Sequence, residues 1–86
     1  MVTVKQAIMM QIQANGDQYY AQIVSAVNEQ QTEFRYQDDK ETILTAIGGA
    51  LWNLCENNYI FFDHYDQCYS ITDFGALQII DDNWQV

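Results

Sequence analysis

The hydrophobic period changes twice between Ile43 and Ile80, and few folds accommodate that. Ile43, Leu44, Ile47, Ala50, Leu51 and Leu54 recur at helical spacing, and the stripe stops at Asn57-Asn58. Asn tolerates the left-handed backbone that ends a helix. Tyr59 to Asp63 and Gln67 to Thr72 then alternate as strands do, around a turn at His64 to Asp66. Thr72 is placed to N-cap a last helix whose stripe reads Phe74, Leu77 and Ile80. A helix, a hairpin and a second helix must therefore follow one another within 38 residues, counted 43 to 80 inclusive.

The N-terminal half adds two helices. Val4, Ala7, Ile8 and Ile12 make one stripe over residues 3–14, ended by Asn15-Gly16. Asp17 is placed to cap a second helix that turns Tyr20, Ile23, Val24 and Val27 inward. Between this helix and the third, Thr32 to Tyr36 (TEFRY) suits a short strand, and Asp38-Asp39 suit the positive end of the third helix. The expected fold class is α+β, mostly helical. It comprises a helix-turn-helix core over residues 3–58, a two-stranded hairpin over 59–72 and a C-terminal helix over 73–81. At 86 residues this is one domain, which buries roughly 60–65% of its unfolded surface.

Two patterns in the second half resemble the winged-helix domains of bacterial transcriptional regulators. Leu51, Leu54, Tyr59 and Ile60 fit the end of the third helix, where Asn58 stands in place of the usual glycine. Tyr69, Ile71, Thr72, Gly75 and Ile79 fit the second wing strand and the helix after it. The resemblance implies a winged helix with a three-helix core. It also implies that the third helix enters the major groove and the wing touches DNA backbone.

Charge opposes that implied ligand. Twelve Asp and Glu face only Lys5, Arg35 and Lys40, for a net charge of −9. Duplex binders neutralise about 6–10 phosphates with Lys and Arg, and a dimer of this chain would bring six basic side chains against twenty-four acids. With the core stripe turned inward, the third helix presents Thr42, Thr45, Gly49, Trp52, Asn53 and Glu56, none of them basic. Asp63, His64, Tyr65 and Asp66 occupy the wing tip.

The same surface suits a protein partner. Trp52 falls about 140° from Ile47 on the helical wheel, and an outward Trp beside Gly49 is the type of anchor that concentrates binding energy. The competing reading folds Trp52 back into the core. Gly48-Gly49 costs roughly 1 kcal/mol per residue relative to Ala, so a close approach by another helix or a second copy is expected there. Homodimerisation through this helix, or through the tail DDNWQV with Trp84, follows as an expectation.

Asp38, Asp39, Glu41, Asp63, Asp66, Asp81 and Asp82 would present carboxylates much as DNA presents phosphates. In size and charge the chain resembles small acidic phage and mobile-element proteins, including anti-CRISPR and anti-restriction inhibitors, with no motif behind that likeness. The function expected is non-enzymatic: the acidic surface binds a basic partner, including a nucleic-acid-handling protein inhibited by DNA mimicry. The partner-binding residues would be Thr45, Gly49, Trp52, Asn53, Asp63, His64, Tyr65 and Asp66. A DNA-binding regulator is the alternative.

No catalytic, cofactor or metal site is expected. The hairpin tip has one His for Asp63, Asp66 and Cys68 to join, and Asp73-Phe74-Gly75 matches a kinase motif in letters alone. Cys55 and Cys68 are too few and too widely spaced for zinc, and both are expected as thiols. No apolar run approaches a membrane span, and the N-terminus lacks the pattern of a signal peptide, so a cytoplasmic location is expected.

Overall fold

The computed structural model describes residues 3–29 and 40–81, with side chains for 3–29 and 44–79. The described elements are α1 (Val4–Asn15), β1 (Gln18–Tyr19), α2 (Tyr20–Glu29), α3 (Lys40–Glu56), β2 (Ile60–Asp63), β3 (Cys68–Ile71) and α4 (Asp73–Asp81). The chain is thus a mostly helical α+β domain with a three-stranded antiparallel sheet ordered β1-β3-β2.

Helix α1 is the central element, packed against α2, α3, β3 and α4. It starts at a reciprocal cap: the Gln6 N–H donates to Thr3 Oγ1 at 3.1 Å, and the Thr3 N–H donates to Gln6 Oε1 at 2.9 Å. Val4, Ala7, Ile8 and Ile12 are buried as expected, and Met9 joins them because neighbours cover α1 on more than one side. Gly16 ends the helix at φ +81°, a conformation that favours glycine, and its N–H donates to the Ile12 carbonyl.

Asp17 does not cap α2. Gln18 and Tyr19 are extended and pair with Tyr69 and Cys68 of β3, so the helix starts only at Tyr20. The Tyr19 N–H is satisfied by Gln22 Oε1 at 2.8 Å, three residues on, as Gln6 does for α1. Gln18 is buried, and its amide is paired at both ends, accepting from Gln11 Nε2 and donating to the Asp17 carbonyl. Ile23 and Val27 form the inward face of α2 with Val24 beside them. Tyr20, expected inward, is 43% exposed, because the first turn of the helix lies at the edge of the core. The expected strand at Thr32 to Tyr36 and the acidic start of α3 at Asp38-Asp39 lie outside the described residues. The third strand of the sheet comes from β1.

Helix α3 buries Ile47, Ala50, Leu51 and Leu54, whereas Leu44, one turn before Ile47, is left substantially exposed. The helix ends where Asn57-Asn58 predicts. Asn58 sits at φ +64°, its N–H donates to the Cys55 carbonyl, and the Tyr59 N–H donates to the Leu54 carbonyl. These two bonds close the end of the helix as a Schellman motif.

In the hairpin, Ile60 pairs with Ile71, Phe61 with Ser70, Phe62 with Tyr69 and Asp63 with Cys68. The turn is one residue longer than expected and runs to Gln67, which adopts φ +57° and donates its N–H to the Asp63 carbonyl.

Thr72 caps α4 as expected, its Oγ1 accepting the Gly75 N–H at 2.9 Å. The facing of that helix differs from expectation. Phe74 and Leu77 are about half exposed, while Gly75 is buried and Ile79 packs on the core. The reason is steric: Gly75 lies against the Tyr59 carbonyl, so the helix approaches through its backbone there. The inward line is therefore Gly75 to Ile79, and Phe74 turns aside to stack on Tyr59 at 5.4 Å and 8°.

Candidate partner-binding surface

Of the face of α3 expected outward, Glu56 is exposed and Thr42 lies outside the described side chains. Thr45 and Gly49 are exposed, Trp52 is 67% exposed and Asn53 is half-buried. Trp52 therefore lies off the core, which decides between the two sequence readings of its position. A Cβ added at Gly48 or Gly49 would meet nothing within 4 Å, so among the described residues no helix makes the close approach expected there. Asn53 is occupied locally, since the Asn57 amide donates to its Oδ1 at 3.1 Å and to its carbonyl at 2.8 Å.

Trp52 forms one wall of a groove of about 290 Å³. Tyr20 closes one side, Phe62 and Tyr69 of the hairpin form another, and Gly48, Leu51 and Cys55 of α3 complete the lining. The strand register explains the hairpin's share: Phe62 and Tyr69 are a cross-strand pair and point to the same face, with ring centroids 4.9 Å apart. Gly48, one turn before Trp52, offers no side chain to fill the space between them.

The groove is lined by neutral groups. Burial, and after it the neighbouring Cys55 and Tyr20, push the Tyr69 phenol up; burial, and then Glu56, push the Cys55 thiol up. Both groups stay protonated at neutral pH, so no side chain lining the groove carries a charge.

The hairpin tip divides into a structural part and a free part. Asp63, half-buried, accepts the Tyr65 N–H at 2.8 Å and the Asp66 N–H at 3.3 Å through Oδ1, so its carboxylate builds the turn. His64 rests edge-on against Phe62 at 4.9 Å and 87°. Tyr65 is 95% exposed, and Asp66 is exposed beside it. Phe62 both lines the groove that Trp52 borders and carries His64 on its ring edge, so of the expected residues Trp52 and His64 lie on either side of it.

Sequence reasoning missed the groove itself. Periodicity alone turns Tyr20 inward, makes Phe62 and Tyr69 strand residues and asks for a packing contact at Gly48. The alternation that puts Phe62 and Tyr69 on the same face as Ile60 and Ile71 was available as a signal, since that face looks toward α3.

Cys68 is buried, and its thiol is pushed up by burial and then by the carboxylates of Asp17, Asp63 and Asp66. At neutral pH it is a thiol, not the thiolate that a nucleophile requires. Among the described residues no three His, Cys, Asp or Glu side chains gather as metal ligands, and no helix is long and apolar enough to cross a membrane.

Fold and site together define a class: a small α+β domain with an exposed aromatic groove between a helix and a hairpin. Compared with protein-family models, with characterised proteins and with solved structures, the chain matches none.

Proposed function

We propose that this domain is a winged-helix-type binding module that acts without catalysis and engages a basic protein through α3 and the hairpin. The observation that carries the reading is Trp52, 67% exposed beside an apolar groove in a chain with twelve acids and three bases. An exposed Trp on a rigid helix offers a large apolar area for a partner to cover, and such anchors supply much of the energy of protein interfaces. The acidic field raises the rate of encounter with a cationic partner and repels phosphates.

The winged-helix assignment is supported by the helix order and by the antiparallel β2-β3 hairpin after α3, with which the described fold is compatible. A nucleic-acid-handling protein is the narrower form of the partner, and only the charge supports it. Of the seven carboxylates expected to mimic phosphates, the described side chains include Asp63 and Asp66, and Asp63 is held in the turn.

The test pairs two titrations. Against short duplex DNA at low salt, no affinity tighter than micromolar is expected. In affinity enrichment from a source lysate, basic proteins should be retained by the wild type and lost from Trp52→Ala and from Asp66→Lys. Salt-sensitive, sequence-selective nanomolar duplex binding would falsify the reading and restore the DNA-binding regulator.

A further inference from the structure

We infer that the groove between α3 and the hairpin receives a single arginine side chain of the basic partner, stacked on Trp52. This rests on the binding reading above and names the chemistry of the contact. Four aromatic rings from four elements converge there: Tyr20 from α2, Trp52 from α3, Phe62 from β2 and Tyr69 from β3. Ring faces carry negative electrostatic potential and attract cations, Trp most strongly. The size is right for one side chain, since about 290 Å³ lies at the lower edge of ligand pockets, which run to about 1,000 Å³.

The lining also selects among cations. None of its side chains is a carboxylate, so a lysine ammonium, a compact and strongly hydrated charge, would lose water without an oxygen partner. A guanidinium is planar, more weakly hydrated and stacks on aromatic faces. Glu56 stands just outside the lining: it follows Cys55 and acts on its thiol. This carboxylate and the net charge of −9 favour the cation without crowding the groove. A second copy of the chain is a poorer occupant, because two copies would bring together twice −9, or −18.

Three capped hexapeptides test this, identical except for Arg, Lys or the neutral isostere citrulline at one position, in a frame carrying two further lysines. Binding is read from the Trp52 indole N–H resonance and from fluorescence in a Trp84→Phe background. The Arg peptide should bind about tenfold tighter than the equally charged Lys peptide, and the citrulline peptide should bind most weakly. Trp52→Ala, followed by titration calorimetry because it lacks the indole probe, and the groove-filling Gly48→Leu should each bring the Arg peptide down to the Lys level. Gly48→Leu keeps the helix, because a Cβ at that position meets open space. Equal affinity for Arg and Lys, an Arg preference that survives Gly48→Leu, or an unmoved Trp52 indole overturns the inference and leaves the basic-partner reading standing. If neither cationic peptide binds better than citrulline, both fail. A dimer in sedimentation that Gly48→Leu splits assigns the groove to a second copy and overturns the arginine assignment.

Discussion

The C-terminal end of α3 and the middle of the same helix use their residues in opposite ways. At its C-terminal end the main-chain groups find partners within the chain. Asn58 turns the backbone, its carbonyl accepts from Thr72 Oγ1 at 2.6 Å, and the Thr72 N–H donates to the Tyr59 carbonyl at 3.1 Å. Gly75 closes against that same Tyr59 carbonyl. Two turns earlier, Thr45, Gly48, Gly49 and Trp52 lie exposed, and the glycines have open space above them. The motif residues that resemble a winged helix lie mostly in the first region, the residues free to meet a partner in the second. A match to such a motif therefore reports how the hairpin and α4 are fastened to α3, and is silent on the ligand.

The sharpest way to break the comparison is Gly75→Ala. A Cβ there would collide with the Tyr59 carbonyl and come to 3.0 Å from its carbonyl carbon. Those atoms are main chain, held by the end of α3, and cannot swing away. Overpacking against such a wall costs about 3 kcal/mol, a large share of the roughly 5–15 kcal/mol available to a domain. Urea denaturation should show the midpoint falling accordingly. A loss below about 1 kcal/mol would mean that α4 is not seated on Tyr59.

Thr72→Ala should come next, at about 1–2 kcal/mol. It removes the acceptor for the Gly75 N–H and the donor to the Asn58 carbonyl together. Thr72→Ser keeps the hydroxyl and should recover most of the loss. If Ser and Ala are equally destabilised, the hydroxyl is not the coupling group.

These effects also show what was legible in the sequence. Hydrophobic period gave the existence of α1, α3 and α4, and the inward set Ile47, Ala50, Leu51 and Leu54. It failed on the facing of α4, because a glycine adds nothing to a hydrophobic pattern even when it is the point of closest approach. Phe74 and Leu77 have the right spacing for a core face, yet both are about half exposed. β1 is not legible because two residues cannot display alternation, and its first residue, Gln18, is a buried amide satisfied by Gln11, a partner seven residues back. The angle of Trp52 to Ile47 sets it off the core stripe but leaves open whether the ring folds back, and the exposure itself comes from the structure. The groove is not legible either, since it depends on how the hairpin leans over α3, which is a tertiary fact.

On the free side of α3 the expected sign reverses. Gly49→Ala should raise stability by about 1 kcal/mol, the difference between the two residues in a helix interior, because its Cβ meets nothing. The melting temperature of the isolated domain should rise. A fall would show that something in the chain covers this face after all.

The smallest stability effect belongs to the residue with the largest proposed role. Trp52→Ala uncovers only the third of the side chain that is buried, and Ala is the better helix former by about 0.5 kcal/mol, so the two contributions oppose each other. The net change should stay below about 1 kcal/mol by chemical denaturation, smaller than for either Gly75→Ala or Thr72→Ala. Partner binding should fall at the same time by tenfold or more if Trp52 is an interface anchor. A variant that loses binding while keeping its stability would separate the two regions of α3 by function as the contacts already separate them by structure. A variant that loses stability in step with binding would place Trp52 with the residues that hold the fold.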